Sequence, residues 1–263
     1  MTDTGTSTDA TEVSGAASGP TGRRRPSARY RAALALLGGM AFASVFAFVL
    51  TSLHGQARKP PLLRPAGIPA DVSTALADLM QLSPVPHAAA PGFSLTDQAG
   101  RTVTLASLHG KVVVLTFMDS HCTDICPLVS REFRDAAHDL GGTASRVVFI
   151  AVNVNPFHHG VADVASFSRA ESLDSIGTWH FVTGPVSALR PVWNAYQVQV
   201  VAPSPNKDVI HASLVYFIDP AGRERYVAAP MADHTAAGMA FLPAGQLSSW
   251  GRGIALVARD LAR

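Results

Sequence analysis

The chain contains few cysteines and little net charge, and both shortages restrict what it can do. Cys122 and Cys126 are the only cysteines among 263 residues. Basic residues outnumber acidic ones by two, which gives a formal net charge of +2 at pH 7. No basic cluster follows residue 64, so the charge does not indicate a nucleic-acid partner. No internal repeat is present either, so the chain is not a repeat array.

The first 31 residues lack the side chains that build a core. Residues 1–20 are mostly Thr, Ser, Gly, Ala and Asp, and five arginines stand between residues 23 and 31. A segment of this composition cannot bury enough apolar surface to fold. We therefore expect residues 1–31 to form a disordered tail.

Residues 32–53 contain no charged side chain at all. This length matches the roughly 20 residues needed to cross a bilayer core. A cleaved signal peptide is the alternative, but its apolar region is normally about 7–15 residues. The excess of arginine before the segment places the N-terminus in the cytoplasm. The sequence predicts an uncleaved single-pass anchor in the cell membrane, with an extracytoplasmic domain in which thiols can be oxidised.

A linker is predicted between the anchor and the folded domain. Residues 54–91 are rich in Pro, Ala and Arg, a composition typical of a tether. One short helix is expected over residues 71–82, with Asp71 as its N-cap.

Residues 92–263 alternate between strand and helix patterns. The apolar, β-branched run 111–117 is typical of a strand buried in a parallel sheet. Apolar residues at helical spacing follow it as far as Leu140. Further strands are predicted over residues 147–154 and 181–182, further helices over 161–172, 183–196 and 246–261, and hairpins over 93–105 and 214–227. This order predicts one α/β domain with a mixed sheet flanked by helices.

The two cysteines stand where the strand 111–117 gives way to a helix. Pro127 then falls in the first helical turn, where its missing N–H costs nothing. A helix N-terminus stabilises thiolate and lowers the thiol pKa. Spacing of i, i+4 lets both sulfurs reach one small ion or each other. A disulfide here would stabilise the fold by only about 2 kcal/mol, so a purely structural crosslink is the weaker interpretation.

Two thiolates alone make a poor metal site, so a third ligand is needed. The domain offers eight candidate histidines, and His211 stands out because it directly precedes the predicted strand 214–218. If that strand lies next to 111–117, His211 faces the thiols. If it does not, His211 is an ordinary polar loop residue, and periodicity cannot distinguish the two. The other candidates are His109, His121, His138, His158, His159, His180 and His234.

Several segments together resemble the Sco/SenC family. They are residues 93–111, the motif Cys122-Thr-Asp-Ile-Cys126-Pro127, and residues 211–222, which begin with His211. The resemblance covers residues 90–229 and implies a membrane-anchored, thioredoxin-like copper-binding domain. It also implies that Cys122, Cys126 and His211 are the copper ligands. Thr123 and Asn155 stand where the family often has Pro and Asp.

The function implied by the resemblance is that of a copper metallochaperone. Such a protein would take copper from a donor protein and mature the binuclear copper centre of cytochrome c oxidase subunit II or another cuproprotein. Thiolates favour Cu(I), and imidazole suits Cu(I) or Cu(II). Structural zinc would normally need a fourth protein ligand.

Thiol–disulfide oxidoreductase activity of Cys122 and Cys126 is the alternative function. That chemistry does not require His211. Peroxide reduction fits poorly, because Leu115 and Asp119 replace the usual Pro and Thr or Ser.

A few further residues carry weaker signals for copper. Met231, His234 and Met239 form a Met/His group, and thioether sulfur is a soft ligand. The pair His158-His159 is a second such group. We interpret both as ordinary loop residues and keep an accessory copper contact as the alternative. Asp124 is either an orienting residue for a ligand or partner, or a solvated acid at the start of the helix.

Overall fold

A six-stranded sheet organises the described part of the chain, which in this computed structural model comprises residues 66–238 and 240–263. The predicted tail 1–31 and anchor 32–53 lie outside these ranges. Within them, no helix combines the length and the apolar character needed to cross a membrane. The helices are α1 (Thr74–Leu79), α2 (Cys126–Leu140), α3 (Val161–Ala170), α4 (Val186–Ala195) and α5 (Ala244–Leu261).

Twelve strands are formed by the described residues, most of them short. They are β1 (Ser83–Pro84), β2 (Ser94–Thr96), β3 (Thr102–Thr104), β4 (Val112–Met118), β5 (Val147–Asn153), β6 (Trp179–Val182), β7 (Val200–Val201), β8 (Ile210–His211), β9 (Val215–Ile218), β10 (Glu224–Ala228), β11 (Asp233–His234) and β12 (Ala240–Phe241). The main sheet has the order β1-β10-β9-β4-β5-β6. Three two-stranded sheets pair β2 with β3, β7 with β8, and β11 with β12.

The centre of the sheet is mixed, as the sequence predicts. Every residue of β4 and β5 is buried, and the two strands run parallel. β9 lies antiparallel on the other side of β4. A β-α-β unit followed by an antiparallel hairpin and a closing helix gives the predicted thioredoxin-like arrangement, which is thereby confirmed.

Alternate side chains of β4 enter two separate cores, one on each face of the sheet. Val112 and Val114 pack in the core that holds Phe133 of α2 and Trp250 of α5. Leu115 packs in the other core, against α4. Because helices cover both faces of the sheet, the sequence of β4 is a nearly continuous apolar run instead of an alternating one.

The predicted linker 54–91 does not extend through residues 68–84, which are built into the domain. Val72 and Met80 are fully buried, and β1 pairs with β10. Gly253 of α5 makes room for Met80, since a side chain there would collide with the Met80 sulfur. The prediction of Asp71 as N-cap is also wrong. Ser73 caps α1, and its Oγ accepts a hydrogen bond from the Leu76 N–H at 3.2 Å.

Candidate metal centre

The turn between β4 and α2 holds both thiols close together. Cys126 is the first residue of α2 and is 1 % exposed, whereas Cys122 is half-buried. The Cys126 N–H donates a hydrogen bond to Cys122 Sγ at 3.4 Å. Pro127 lies in the first turn of α2, as the sequence predicts. Both cysteines are free thiols, so the pair is available for metal binding or for redox chemistry.

The two thiols have different acidities. The pKa of Cys122 is lowered because its sulfur accepts a hydrogen bond from the Cys126 thiol and from the backbone N–H groups of Cys126 and Asp124. The pKa of Cys126 is raised because its thiol donates that bond and is buried. Cys122 is therefore the more acidic of the two thiols, and Cys126 is the one that holds its proton more strongly.

Asp119 fixes the start of this turn. Its carboxylate is fully buried, and Oδ1 accepts hydrogen bonds from the His121 N–H at 2.8 Å and the Asn155 side chain at 2.7 Å. Oδ2 accepts a bond from the Val209 N–H at 3.1 Å. Burial of a carboxylate is tolerated when such donors satisfy it. An aspartate at position 155 could not donate this bond in its charged form, so Asn155 is matched to Asp119.

The segment that carries His211 lies beside the thiol turn. Thr116 of β4 is paired with Val215 of β9 in antiparallel register, which confirms the strand adjacency assumed from the sequence. Val209 is bound to Asp119, as described above, and the Thr123 hydroxyl donates a hydrogen bond to the Asp208 carboxylate at 3.2 Å. These two hydrogen bonds attach Asp208 and Val209, which lie just before His211, to the turn that carries the thiols.

The His211 ring is prepared to act as a ligand through one nitrogen. Its Nδ1 lies 3.1 Å from the Ala212 carbonyl oxygen, and a carbonyl can only accept, so Nδ1 carries the proton. Nε2 then has a free lone pair. Burial lowers the pKa of His211, which favours the neutral ring. A ligating histidine commonly donates its second N–H to a carbonyl in this way.

The three predicted ligands lie on adjoining segments of the chain but do not form a closed site. Among the described residues, a spacing of 4.8 Å or less between three such donor atoms occurs only for His121, His158 and Asp163. His211 must therefore approach the sulfurs for all three to bind one ion. Two thiols and one neutral imidazole are a soft donor set that fits copper.

Sequence reasoning missed Asp119 as an anchor and the grouping of His121, His158 and Asp163. A polar residue directly after an apolar strand was the available signal for Asp119. No regular spacing in the sequence links His121, His158 and Asp163. In the Met/His group, Met231 is 56 % exposed, Met239 lies outside the described residues, and the His234 ring contacts the Asp124 carboxylate at 3.1 Å.

Comparison with known proteins points to one family. The family model described as SCO1/SenC matches residues 83–239, which is more than half of the chain. A curated relative, the SCO1 protein homolog of Bacillus subtilis, is 27 % identical over 133 residues, or 50 % of this chain and 68 % of that protein.

Two solved structures from the Sco family are also similar to this chain. ScoI of Bradyrhizobium japonicum, solved with copper bound, is 28 % identical, with 52 % of this chain and 87 % of that chain covered and a TM-score of 0.47. BsSco, a member of the Sco family of cytochrome c oxidase assembly proteins with an identified disulfide switch, is 24 % identical, with 55 % and 84 % covered and a TM-score of 0.46.

Proposed function

The chain belongs to the SCO1/SenC family, and from that premise we propose that it binds copper through Cys122, Cys126 and His211 and passes it on. The recipient would be the binuclear copper centre of cytochrome c oxidase subunit II or another cuproprotein, and a separate donor protein would supply the ion. The observation that carries the proposal is the attachment of the His211 segment to the thiol turn through Asp119.

The three donors suit an ion that must be both held and released. Sulfur favours Cu(I), and the neutral imidazole accepts Cu(I) or Cu(II). The thiols stand on a turn fixed by buried hydrogen bonds, whereas His211 stands on a two-residue strand that pairs with the equally short β7. We expect His211 to close on the ion during binding and to withdraw during transfer.

We also propose that the domain acts outside the cytoplasm, anchored by residues 32–53. The support is the uncharged length of that segment and the arginines before it. An extracytoplasmic position would place the thiols near membrane-bound oxidase partners.

Copper titration of the full chain tests the three-ligand site. We expect one Cu(I) per chain by competition with a chromogenic chelator. In His211→Ala we expect at least a tenfold loss of copper affinity, because removing a ligand weakens binding at least as much as removing a residue that hydrogen-bonds to a ligand. His138→Ala is the matched control, since that ring is 90 % exposed on α2. Equal copper affinity in His211→Ala and the wild type would refute the three-ligand model.

A second function, thiol–disulfide exchange, is favoured by the unequal acidity of the thiols. The Cys122 thiolate would attack a partner disulfide, form a mixed disulfide and release one partner thiolate. Cys126, after losing its proton, would then attack Cys122 Sγ and release the second. The partner gains two electrons, and the chain ends as a Cys122–Cys126 disulfide.

Trapping of the mixed disulfide tests this second function. In Cys126→Ser we expect Cys122 to remain bound to a small disulfide probe, detected as a mass increase, because the resolving thiol is gone. In the wild type the adduct should not accumulate. Failure of Cys122 to react with the probe at neutral pH would exclude exchange chemistry.

A further inference from the structure

A second group of metal-binding side chains lies beside the thiol turn and uses none of the three residues discussed above. One ligand atom from each of His121, His158 and Asp163 lies within 4.8 Å of the other two. His121 follows β4, His158 follows β5, and Asp163 lies in the first turn of α3. We propose that these three side chains form a binding site for a divalent first-row transition-metal ion, which we call the imidazole site.

His158 is held in place with one ring nitrogen free. Its backbone carbonyl accepts hydrogen bonds from Ser120 Oγ at 2.6 Å and Asn153 Nδ2 at 2.8 Å, and its N–H donates to Asn155 Oδ1 at 2.9 Å. Ring atom Nε2 lies 2.9 Å from the Pro205 carbonyl oxygen. Because that oxygen can only accept, Nε2 carries the proton, and Nδ1 has the free lone pair that a ligand needs.

Asp163 is also oriented so that one oxygen is left for a metal ion. Its Oδ2 accepts a hydrogen bond from the Gly160 N–H at 2.9 Å at the start of α3. Its Oδ1 lies 3.5 Å from His121 Nε2. Two ligand atoms on one tetrahedral ion are about 3–3.5 Å apart, so Asp163 Oδ1 lies within reach of an ion held by the His121 side chain.

His121 is the ligand that must move. Its ring stacks on the His158 ring with centroids 3.6 Å apart and an interplanar angle of 19°. Nearly parallel rings cannot both aim a lone pair at one ion, so binding requires the His121 ring to rotate. The side chain is 48 % exposed, and the rotation takes it through solvent, while its backbone N–H stays bound to Asp119.

The donor chemistry of the imidazole site differs from that of the thiols. Two imidazoles and a carboxylate form a borderline to hard set, and Cu(II) binds such sites more tightly than the other divalent first-row ions. Water would complete the coordination of the exposed ion. The class of ligand is therefore a divalent ion, with Cu(II) as the strongest binder.

Cu(II) titration of the full chain carrying Cys122→Ser and Cys126→Ser tests the imidazole site in the absence of thiols. We expect one tightly bound Cu(II) per chain, with nitrogen hyperfine splitting in its electron paramagnetic resonance spectrum. Adding His158→Ala should weaken binding at least about tenfold, and adding the control His138→Ala should not. If His158→Ala and His138→Ala weaken Cu(II) binding equally, or if no Cu(II) binds tightly, the result is adventitious binding only and the proposal is overturned.

A second measurement keeps the wild-type chain intact in case the serine variant does not fold. We expect Zn(II) to shift the ring-nitrogen resonances of His121 and His158, with His158 binding through Nδ1, whether or not the thiols also take up zinc. Shifts confined to other histidines would overturn the proposal. Neither measurement depends on His211, so failure of the three-ligand copper model would leave this result unaffected.

Discussion

Cys122 and His121 are neighbours in the chain, yet their side chains lie in two different chemical environments. The sulfur of Cys122 is half-buried against Cys126 at the start of α2. The imidazole of His121 is stacked on His158 and is close to Asp163. One side therefore offers soft, partly buried sulfur, and the other offers harder nitrogen and oxygen donors that are partly open to solvent. The comparison shows that a single well-fixed turn can present two kinds of donor set.

Both sides depend on the same buried polar residues. Asp119 accepts the His121 N–H on one side and the Val209 N–H on the other. Ser120 donates to the His158 carbonyl. The network fixes the backbone, while the exposed His121 ring keeps freedom to rotate. Changing a ligand should therefore weaken metal binding at one site only, whereas changing Asp119 should weaken it at both.

Cys126→Ser should separate the sites with the largest effect on metal binding. We expect Cu(I) affinity to fall at least about 100-fold, because a hydroxyl is a hard and weak ligand for Cu(I). Cu(II) binding at the imidazole site should stay within a factor of about three. Chelator competition with each ion measures both values. Loss of both ions together would mean that the sites are one.

Asp119→Asn should weaken both sites to a similar, smaller degree. In the wild type three hydrogen-bond donors surround the Asp119 carboxylate. The amide of the variant would point its own N–H group at one or more of them, so those hydrogen bonds would be lost. We expect about a tenfold loss of affinity for each ion and a decrease of about 2 kcal/mol in the free energy of unfolding. Urea unfolding and metal titration check the two effects. Asp139→Asn on α2, a partly exposed position, is the control. Weakening of one site alone would contradict a shared anchor.

His234→Ala should have little effect on either site. The ring lies 3.1 Å from the exposed Asp124 carboxylate, and the two side chains are 49 % and 41 % exposed. Exposed ion pairs contribute about 0.2–1 kcal/mol, so we expect less than a threefold change in Cu(I) affinity. A tenfold loss in the same chelator assay would instead place His234 in the copper site.

Glu132→Gln should change the stability of the fold and leave metal binding unchanged. Glu132 is fully buried on α2, and no other described residue forms a hydrogen bond with its carboxylate oxygens. Burial and the nearby Asp135 raise its pKa to about 8 from an ordinary 4.5. The folded chain then holds a proton that the unfolded chain releases between about pH 4.5 and 8. Wild-type stability should therefore fall as pH rises through that window.

The glutamine variant should lack this slope. Its free energy of unfolding should match that of the wild type near pH 5 and exceed it near pH 8 by on the order of a few kcal/mol. Urea unfolding at the two pH values measures the difference. A wild-type stability that does not change between them would show that Glu132 is not buried with this pKa.

The fold could be predicted from sequence where local signals and tertiary packing agree. The apolar run 111–117 became β4, and the helical spacing around Phe133 became α2. Prediction failed for residues 68–84, because the segment 54–91 as a whole is rich in Pro, Ala and Arg, a composition typical of a tether. Packing of Met80 beneath α5 and pairing of β1 with β10 show that they belong to the domain, and these contacts join positions far apart in the chain.

The amino-acid sequence by itself determined the thiol pair and its place at the start of a helix, because strand runs, proline position and helical spacing act over a few residues. Tertiary structure alone decided which histidines lie near it. The pairing of β9 with β4 brings the His211 segment to the turn, and the pairing of β5 with β4 brings His158 and Asp163 to His121. These strand pairings join residues 35 to 105 positions apart, a separation over which no local pattern carries information.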